Sequence, residues 1–287
     1  MDNPNRKGSY LSVCTIYRDH AAYLREWIEF HRLVGVERFF LYDNYSEDEH
    51  RAVLAPDIRD GTVVIEDWSF GPAARAARGQ ASAGQASAYR HCIDRHGEEA
   101  HWIAFVDVDE FLFSPIHDSL PEALADYERW PGVAVNWVLF GPSGHRSRPE
   151  GLVIESYDRK LPLRLNRYVK HVARPSRVVR IESPHQFAYD RQTAVDENQF
   201  PVLGPVSKSV SASRLRVHHY FTKSEAEFAA REQERRAAGA PGSDLGLEQI
   251  KALESELSVV DRAILKFAPA VREAVSRTGS AGESTPS

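Results

Sequence analysis

The sequence is poor in cysteine and in long apolar runs, and both absences limit where the protein works. Its 287 residues include two cysteines, Cys14 and Cys92, which cannot build a disulfide framework or a thiolate zinc site, so we expect a reducing compartment. No run approaches the roughly 18 apolar residues that span a bilayer. The first apolar stretch, 10–17, ends at Arg18 before it reaches the length of a signal peptide. We therefore predict a cytoplasmic protein.

An excess of positive charge is also missing. The chain carries 36 Lys and Arg against 41 Asp and Glu, a net charge of -5, which argues against nucleic acid as the main partner because phosphate backbones require a basic face. Four common catalytic motifs are absent from the sequence: G-x-x-x-x-G-K, G-x-G-x-x-G, H-E-x-x-H and G-x-S-x-G. The composition is that of a globular protein, with 42% hydrophobic and 10% aromatic residues, so a generally disordered chain is excluded.

Apolar periodicity predicts that strands and helices alternate in the first half of the chain. Strands separated by helices of this length imply an α/β fold of Rossmann-like type, with a mixed, mainly parallel sheet flanked by helices. Beyond residue 130 three strand-like segments lack intervening helices, which indicates antiparallel or edge strands. The predicted strands are 10–17, 36–42, 62–66, 101–106, 133–140, 152–156 and 168–180, and the predicted helices of this part are 21–33 and 81–96, the second preceded by a low-complexity loop from residue 72.

The C-terminal part is predicted to be helical. A capping-box pattern, Ser224-x-x-Glu227, begins a helix over 224–236, and a Gly- and Ala-rich hinge follows over 237–246. The next helix, 247–266, carries one apolar stripe that either packs on the main domain or forms a homodimer seam. We expect a main domain over 10–236, a helical extension over 247–275, and flexible tails over 1–9 and 276–287.

The strongest site signal is Asp107-Val108-Asp109-Glu110, which directly follows the apolar strand 101–106. Side chains at i and i+2 of an extended chain point the same way, so Asp107 and Asp109 are predicted to face one pocket. Open α/β sheets bind ligands at the carboxyl ends of their strands, and carboxylate oxygens suit Mg²⁺ or Mn²⁺ carrying a diphosphate. The alternative is that these acids merely end a strand, since a D-x-D triplet is common by chance.

Three weaker signals accompany it. Residues 43–48 form either an ordinary turn or a nucleotide-facing loop that begins with Asp43. His218 and His219 are adjacent in an extended segment and point oppositely, so at most one of them enters a metal site. From Arg159 to Arg180 eight cations occur with no acid between them, which makes a solvated face, a phosphate-binding face, or a surface for peripheral contact with the inner face of a membrane.

Taken together, these residues resemble a glycosyltransferase of the GT-A fold. More narrowly they resemble the family-2-like group that includes glycosyltransferase family 92. The resemblance runs in order over roughly residues 10 to 230 and is carried by the following segments: 23–31 (YLREWIEFH), 35–36, 42–48 (YDNxSxD), Gln85, 102–112 (WIAFVDVDEFL), 140–145 (FGxSGH), Lys170, 174–175, His185, 219–220 and 223–224.

The resemblance implies a nucleotide-sugar donor, with a UDP-sugar favoured, and Mn²⁺ or Mg²⁺ as cofactor. It implies that Asp43 faces the nucleoside, that Asp107 lies near the ribose and the metal, and that Asp109 binds the metal directly with His219 as third ligand. Lys170 or Arg174 would meet the diphosphate. One departure concerns His218, which stands where the family usually has a small polar residue.

Sugar transfer also needs an acceptor, a glycan or another hydroxyl compound, and a base that takes its proton in an inverting reaction. The candidates for that base are Glu155, Asp158 and His145, unranked, and inversion itself is implied by the resemblance alone. Three alternatives remain: a phosphatase of the haloacid dehalogenase type, a non-catalytic nucleotide-sugar-binding protein, and a structural partner that associates through the last helix. Against the phosphatase, Phe111 stands where that family usually has Thr or Val.

Overall fold

Four apolar strands from the first 105 residues form one half of an eight-stranded sheet. The structure is a computed structural model and describes residues 8–68, 80–237, 239, 242–243 and 245–280. The described strands are β1 (Ser9–Tyr17), β2 (Arg38–Asp43), β3 (Val63–Asp67), β4 (Ala100–Phe105), β5 (Glu110–Phe113), β6 (Gly132–Leu139), β7 (Arg159–Lys160), β8 (Val169–Ala173), β9 (Val178–Ser183), β10 (Gln186–Tyr189), β11 (Arg216–His219) and β12 (Val259–Val260). The described α-helices are α1 (Ala21–Leu33), α2 (His50–Arg59), α3 (Gln80–His96), α4 (Leu120–Leu124), α5 (Val153–Ser156), α6 (Glu225–Ala237), α7 (Leu247–Leu257) and α8 (Ala268–Ser280).

The large sheet has the order β3-β2-β1-β4-β8-β6-β11-β5. Its first four strands are parallel, as is the pair β6–β11, whereas β8 and β5 run antiparallel to their neighbours. Parallel strands are covered on both faces and therefore read as nearly continuous apolar runs, as β1 and β2 do. The predicted fold class, a mixed and mainly parallel sheet flanked by helices, is confirmed.

Helices cover both faces of the parallel half. Helix α1 has the predicted bounds and buries Leu24, Trp27 and Phe30 in the main core. The indole of Trp27 donates a hydrogen bond of 2.8 Å to the backbone oxygen of Glu110, which ties this helix to the segment that follows β4. On the opposite face α3 packs Tyr89 and Cys92 against β2 and β4. None of the described helices is both long and apolar enough to cross a membrane.

Two predicted strands in the middle of the chain are wrong or incomplete. Residues 152–156, predicted as a strand, contain the short helix α5, because the carboxylate of Glu26 accepts hydrogen bonds from the backbone nitrogens of Val153 and Ile154 (2.8 and 3.0 Å). Residues 168–180 form two strands instead of one. Pro175 begins a 3₁₀ turn that separates β8 from β9.

The C-terminal part also departs from the prediction. Helix α6 begins with the predicted capping box, in which the Ser224 hydroxyl and the Glu227 carboxylate bond each other's backbone nitrogens. The single helix predicted over 247–266 is instead divided, since β12 pairs with β7 and interrupts it. Helix α8 then continues to Ser280, into the segment predicted as a tail. The predicted hinge and the outer tails lie partly or wholly outside the described residues.

The apolar stripe of the predicted last helix divides in the same way. Ile250 is fully buried against Leu139, Leu161 and Phe228. Helix α7 therefore packs on the main domain, which was one of the two predicted alternatives. Other stripe residues stay at the surface, with Leu257 44% exposed. A homodimer seam on that remainder stays a prediction.

Candidate functional site

A pocket of about 340 Å³ opens where β1, β2 and β4 end. Carboxyl ends of parallel strands in an open α/β sheet are the usual place for a ligand, because the loops that leave them diverge. Residues of both signs contribute to this pocket. Its lining consists of Ile16, Tyr17, Arg18, His20, Asn44, Gln85, Asp107, Val108, Asp109, Lys223 and Arg231.

Asp107 and Asp109 both line the pocket, as predicted, while the Val108 side chain is buried in the core. The reason differs from the prediction, because the segment is not extended: it forms a turn closed by the hydrogen bond from the backbone N–H of Glu110 to the backbone oxygen of Asp107 (3.0 Å). Both oxygens of Asp107 have partners. One lies 2.8 Å from the ammonium of Lys170, and the other accepts hydrogen bonds from Gln85 and from the Tyr89 hydroxyl. This carboxylate is therefore fixed in orientation before any ligand arrives.

Asp109 lies among cationic and potentially cationic groups. Its Oδ1 is 3.6 Å from Nε2 of His219, and its Oδ2 is 3.9 Å from a guanidinium nitrogen of Arg231. Burial alone would raise the pKa of Asp109, but His219, Lys223 and Arg231 together hold it well below the usual range. Asp109 is thus a carboxylate at every physiological pH.

Glu110 completes the acidic group from a fully buried position at the start of β5. Its Oε2 accepts the backbone N–H of Asp107 at 2.9 Å and lies 3.3 Å from Lys170. Burial raises the pKa of Glu110, against the opposing effect of Lys170. Its Oε1 has no hydrogen bond within the described part of the chain and lies 3.7 Å from Nδ1 of His219. Sequence reasoning did not count Glu110 as a site residue, although a charged residue opening an apolar strand was the available signal.

Two cations on the opposite wall were also missed. The ammonium of Lys223 lies 3.7 Å from the centre of the Tyr23 ring, and burial lowers its pKa to about 8. Arg231 projects from α6 over the ring of Phe221, and its Nη2 is buried without a hydrogen bond among the described residues. Lys223 was noted in the sequence without a role. Arg231 carries no local signal, because only the fold brings α6 to the pocket.

The two adjacent histidines point oppositely, as predicted. His219 faces Asp109 and Glu110, whereas His218 is fully buried with its ring 4.7 Å from that of Phe113 and 4.5 Å from that of Phe140. Burial lowers the pKa of His218 well below its usual value. The residue that enters the site is therefore His219.

The donor atoms fit a divalent cation in part. Asp109 offers a carboxylate oxygen and His219 an imidazole nitrogen, a combination that suits Mn²⁺ better than Mg²⁺, which prefers oxygen ligands. Across the described ranges no three His, Cys, Asp or Glu side chains converge to form a complete metal cage. Two protein ligands are sufficient where substrate phosphates supply the others, as is usual for Mg²⁺. Asp107, the remaining predicted ligand, is engaged by Lys170, and its metal role stays a prediction.

Other predicted site residues lie at varying distances from this centre. Asp43 is buried and shapes its turn by accepting the backbone N–H of Ser46 at 2.9 Å, while its neighbour Asn44 lines the pocket. Its role toward a nucleoside stays a prediction. Of the two predicted diphosphate cations, Lys170 is at the site, whereas Arg174 donates to the backbone oxygen of Glu128.

The three predicted bases do not line the pocket. Glu155 pairs with Arg272 of α8, Asp158 with Arg262, and a ring nitrogen of His145 lies 3.0 Å from the backbone oxygen of Ser156. Their catalytic role stays a prediction. The basic stretch 159–180 likewise has partners within the chain at several positions, including the ion pair of Arg177 with Asp190, and its membrane contact stays a prediction.

Comparison with known proteins gives the family. Residues 7–209 match the model of glycosyltransferase family 92. The chain belongs to glycosyltransferase family 92. A family 92 protein of rice (Oryza sativa subsp. japonica) is 33% identical over 160 residues, 54% of this chain and 26% of its own length. One of Arabidopsis thaliana is 33% identical over 161 residues, 51% of this chain and 26% of its own.

The chain therefore spans about a quarter of the length of these plant relatives. Solved structures align only loosely. S. aureus TarS 1–349 in complex with UDP-GlcNAc is 8% identical, covers 86% of this chain and 71% of its own, and has a TM-score of 0.35. The galactosyltransferase LgtC is 19% identical over 43% of this chain and 46% of its own, with a TM-score of 0.29. The sequence resemblance to family 92 is confirmed.

Proposed function

We propose that this family 92 chain is a metal-dependent glycosyltransferase that moves a sugar from a nucleotide-sugar donor, with UDP-sugars favoured, to an acceptor hydroxyl. The observation that carries the proposal is that Asp109, Lys223 and Arg231 line one pocket at the carboxyl edge of the parallel strands, with His219 beside Asp109. Inversion at the anomeric carbon is carried over from the family resemblance.

The nucleoside end of the donor fits the side of the pocket formed by β1 and β2. There the hydroxyl of Tyr17 and the side-chain oxygen of Asn44 are buried and make no hydrogen bond within the described part of the chain. Buried polar atoms are normally paired, so these two are suited to a ligand that brings its own donors and acceptors. Asp107, fixed by Lys170 and Gln85, presents a rigid edge to the ribose.

The diphosphate end fits the side of the pocket lined by Lys223 and Arg231, which we call the cationic wall. Asp109 and His219 would hold the cation, with donor phosphate oxygens completing its ligands. A Mn²⁺ or Mg²⁺ held there would supply positive charge to stabilise the leaving diphosphate. Lys223 and Arg231 add two positive charges in a partly dry site, where electrostatic interactions are stronger than in water. The pocket thus has charges of both signs beside the proposed position of the diphosphate, which is the most polar part of the donor.

Thermal unfolding with nucleotides tests the proposal. Full-length protein is scanned with UDP, GDP and their sugars, each with and without Mn²⁺, and nucleotide release is then measured with the donor that binds. A ligand at about 100 times its Kd adds roughly 2.7 kcal/mol, a shift of a few degrees. We expect a Mn²⁺-dependent shift with a UDP species that Lys223→Met weakens.

The matched control is Lys251→Met, because Lys251 lies on α7 in a surface ion pair with Glu225. It should bind the nucleotide as the wild type does. Absence of a shift with every nucleotide, with and without Mn²⁺, would overturn the proposal. Binding without any turnover would instead identify a nucleotide-sugar-binding protein that lacks catalysis.

A further inference from the structure

The sheet face beside the pocket carries a second group of side chains that the donor site does not use. In the register of the sheet Val135 lies opposite Lys170 and Leu139 opposite His219. Because residues two apart share a face, Trp137 projects on the same side as Lys170 and His219. Its ring centre is 4.4 Å from that of His219. Trp137 therefore borders the proposed metal ligand directly.

Two more rings extend this border away from the nucleoside side. Tyr168, which is 38% exposed, and His185, from the turn between β9 and β10, lie with their ring centres 5.4 and 4.9 Å from Trp137. They are 5.1 Å from each other. We call Trp137, Tyr168 and His185 the aromatic wall. It is linked to the donor pocket through His219, which lies 3.6 Å from Asp109 of the pocket lining.

The aromatic wall also carries polar atoms with unused capacity. The indole N–H of Trp137 is buried and has no acceptor among the described residues. Nδ1 of His185 lies 2.9 Å from the backbone oxygen of Val169 and must donate to it. Burial and the charge of Lys170 lower the pKa of His185, so its ring is neutral and Nε2 keeps a free lone pair.

This combination matches one class of ligand. A pyranose ring has a face of C–H groups, which pack against the negative faces of aromatic rings, and an edge of hydroxyl groups that both donate and accept hydrogen bonds. A lipid tail would cover Nε2 of His185 without offering it a hydrogen-bond donor, at a cost. A small hydroxyl compound would leave the exposed face of Tyr168 uncovered.

We propose that the aromatic wall is the acceptor subsite and that the acceptor is a sugar, an inference that rests on the proposed glycosyltransferase function. Trp137 and Tyr168 pack against the ring of the acceptor sugar. Nε2 of His185 accepts a hydrogen bond from an acceptor hydroxyl and holds its oxygen toward the donor pocket. His185 is assigned here as a positioning group.

Fluorine NMR tests the proposal without requiring turnover. The full chain contains five tryptophans, so 5-fluorotryptophan labelling gives a small spectrum in which Trp137→Phe identifies the Trp137 signal. The labelled protein is titrated with the methyl pyranosides of glucose, galactose and mannose, in the presence of UDP and Mn²⁺. We expect at least one glycoside to shift the Trp137 signal saturably, and the signal of partly buried Trp130 to stay in place. A Trp137 signal that no glycoside moves would overturn the proposal.

Kinetics with a transferred acceptor give a second, separable test. Tyr168→Ala should raise the acceptor KM about tenfold by removing one stacking face. Its UDP affinity and its slow hydrolysis of the donor by water should not change. Phe200→Ala removes another exposed ring, 67% accessible, from a loop outside the aromatic wall and should leave all three quantities unchanged.

The outcomes separate this inference from the function on which it rests. A Tyr168→Ala protein with weakened UDP affinity and unchanged acceptor KM would assign the aromatic wall to the donor and overturn the inference. His185→Gln should raise the acceptor KM as well, whereas an unchanged KM would contradict its positioning role. Failure of the wild-type protein to bind any nucleotide would refute the proposed function, and the glycoside titration would still report on the wall.

Discussion

Glu197 and Asp109 are both acids that are largely shielded from solvent, but their side chains have different partners. Glu197, in the loop before β11, accepts hydrogen bonds from the backbone nitrogens of Ser213, Arg214 and Leu215 at 2.7 to 2.8 Å, and from the hydroxyls of Ser211 and Ser213. These bonds lower its pKa although burial raises it. Both of its oxygens are fully used, and the loop is held in place by them.

At the pocket, by contrast, the acids and their polar neighbours are not fully paired. Asp109 lies 3.6 Å from the imidazole of His219 and 3.9 Å from the guanidinium of Arg231, distances too long for hydrogen bonds. Beside it Oε1 of Glu110, Nδ1 of His219 and Nη2 of Arg231 are buried without hydrogen-bond partners in the described ranges. A protein that leaves buried polar atoms unpaired loses stability, so the difference from Glu197 indicates a place reserved for a ligand.

The largest effect that follows from this comparison is on activity. Asp109→Asn keeps the shape of the side chain and removes the charge that the proposed cation requires. We expect transfer to fall by at least about 100-fold, because preorganised charge contributes on this scale, while the free energy of unfolding changes little. Steady-state transfer and urea unfolding of the same samples measure the two quantities. The control is Asp118→Asn, a surface acid outside the pocket, and a comparable loss of transfer there would contradict the account.

Glu197→Gln should show the reverse pattern, a loss of stability without a loss of function at the pocket. The amide has one acceptor oxygen and places a donor beside the backbone nitrogens, so several hydrogen bonds are lost or opposed. We expect the free energy of unfolding to fall by about 3 kcal/mol, and UDP affinity of the folded protein to stay the same. Urea unfolding and calorimetric titration check this. If stability were retained and UDP binding lost, the distinction between a structural and a functional acid would fail.

Asp261 extends the comparison to the C-terminal part. It is 8% exposed and lies 2.7 Å from the ammonium of Lys160 and 2.9 Å from the guanidinium of Arg216. Burial opposes ionisation, but Lys160, the Ala263 N–H and other neighbours lower the pKa of Asp261 from 3.8 to about 2. Its carboxylate therefore contributes about 2 kcal/mol above pH 4, which is lost as the pH falls toward 2.

Asp261→Asn tests this sign. The wild-type protein should exceed the variant in free energy of unfolding at pH 6, and the difference should shrink as the pH falls below about 4. Urea unfolding over that range measures it. A difference that is constant with pH would show that packing rather than charge is responsible. Because this acid is satisfied like Glu197, UDP affinity should again be unchanged.

The smallest effect concerns Glu26, a structural acid for which burial outweighs hydrogen bonding. Burial raises its pKa to about 7 despite the two backbone N–H groups of α5. The folded protein therefore holds a proton that the unfolded chain releases at a lower pH, and stability falls as the pH rises toward 7. We expect Glu26→Gln to gain about 1 kcal/mol relative to the wild type between pH 6 and 8. Parallel unfolding curves at the two pH values check this, and no relative gain would show that Glu26 stays ionised.

Local patterns predicted the parts of this molecule that depend on near neighbours. The bounds of α1, the strand before Asp107, the capping box of α6 and the opposite directions of His218 and His219 all follow from spacing along the chain. The phosphatase alternative was already disfavoured by Phe111, and membership of family 92 removes it.

The remainder depends on contacts between distant residues. Residues 152–156 form a helix because Glu26, more than 120 positions earlier, caps it. Arg231 reaches Asp109 from another part of the chain, and Trp137 meets His185 through strand register. Nothing within a short window of sequence encodes these encounters, so neither the cationic wall nor the aromatic wall was visible before the fold was known.

Electron paramagnetic resonance of Mn²⁺ tests the central claim most directly, since it measures how much metal the protein binds with and without UDP. If Asp109 and His219 share the cation with the diphosphate, Mn²⁺ and UDP must each strengthen the binding of the other by the same factor. We predict weak Mn²⁺ binding alone, tighter binding with UDP, loss of that gain in Asp109→Asn, and its retention in Glu197→Gln. Mn²⁺ binding that is indifferent to UDP, or unchanged in Asp109→Asn, would contradict the account.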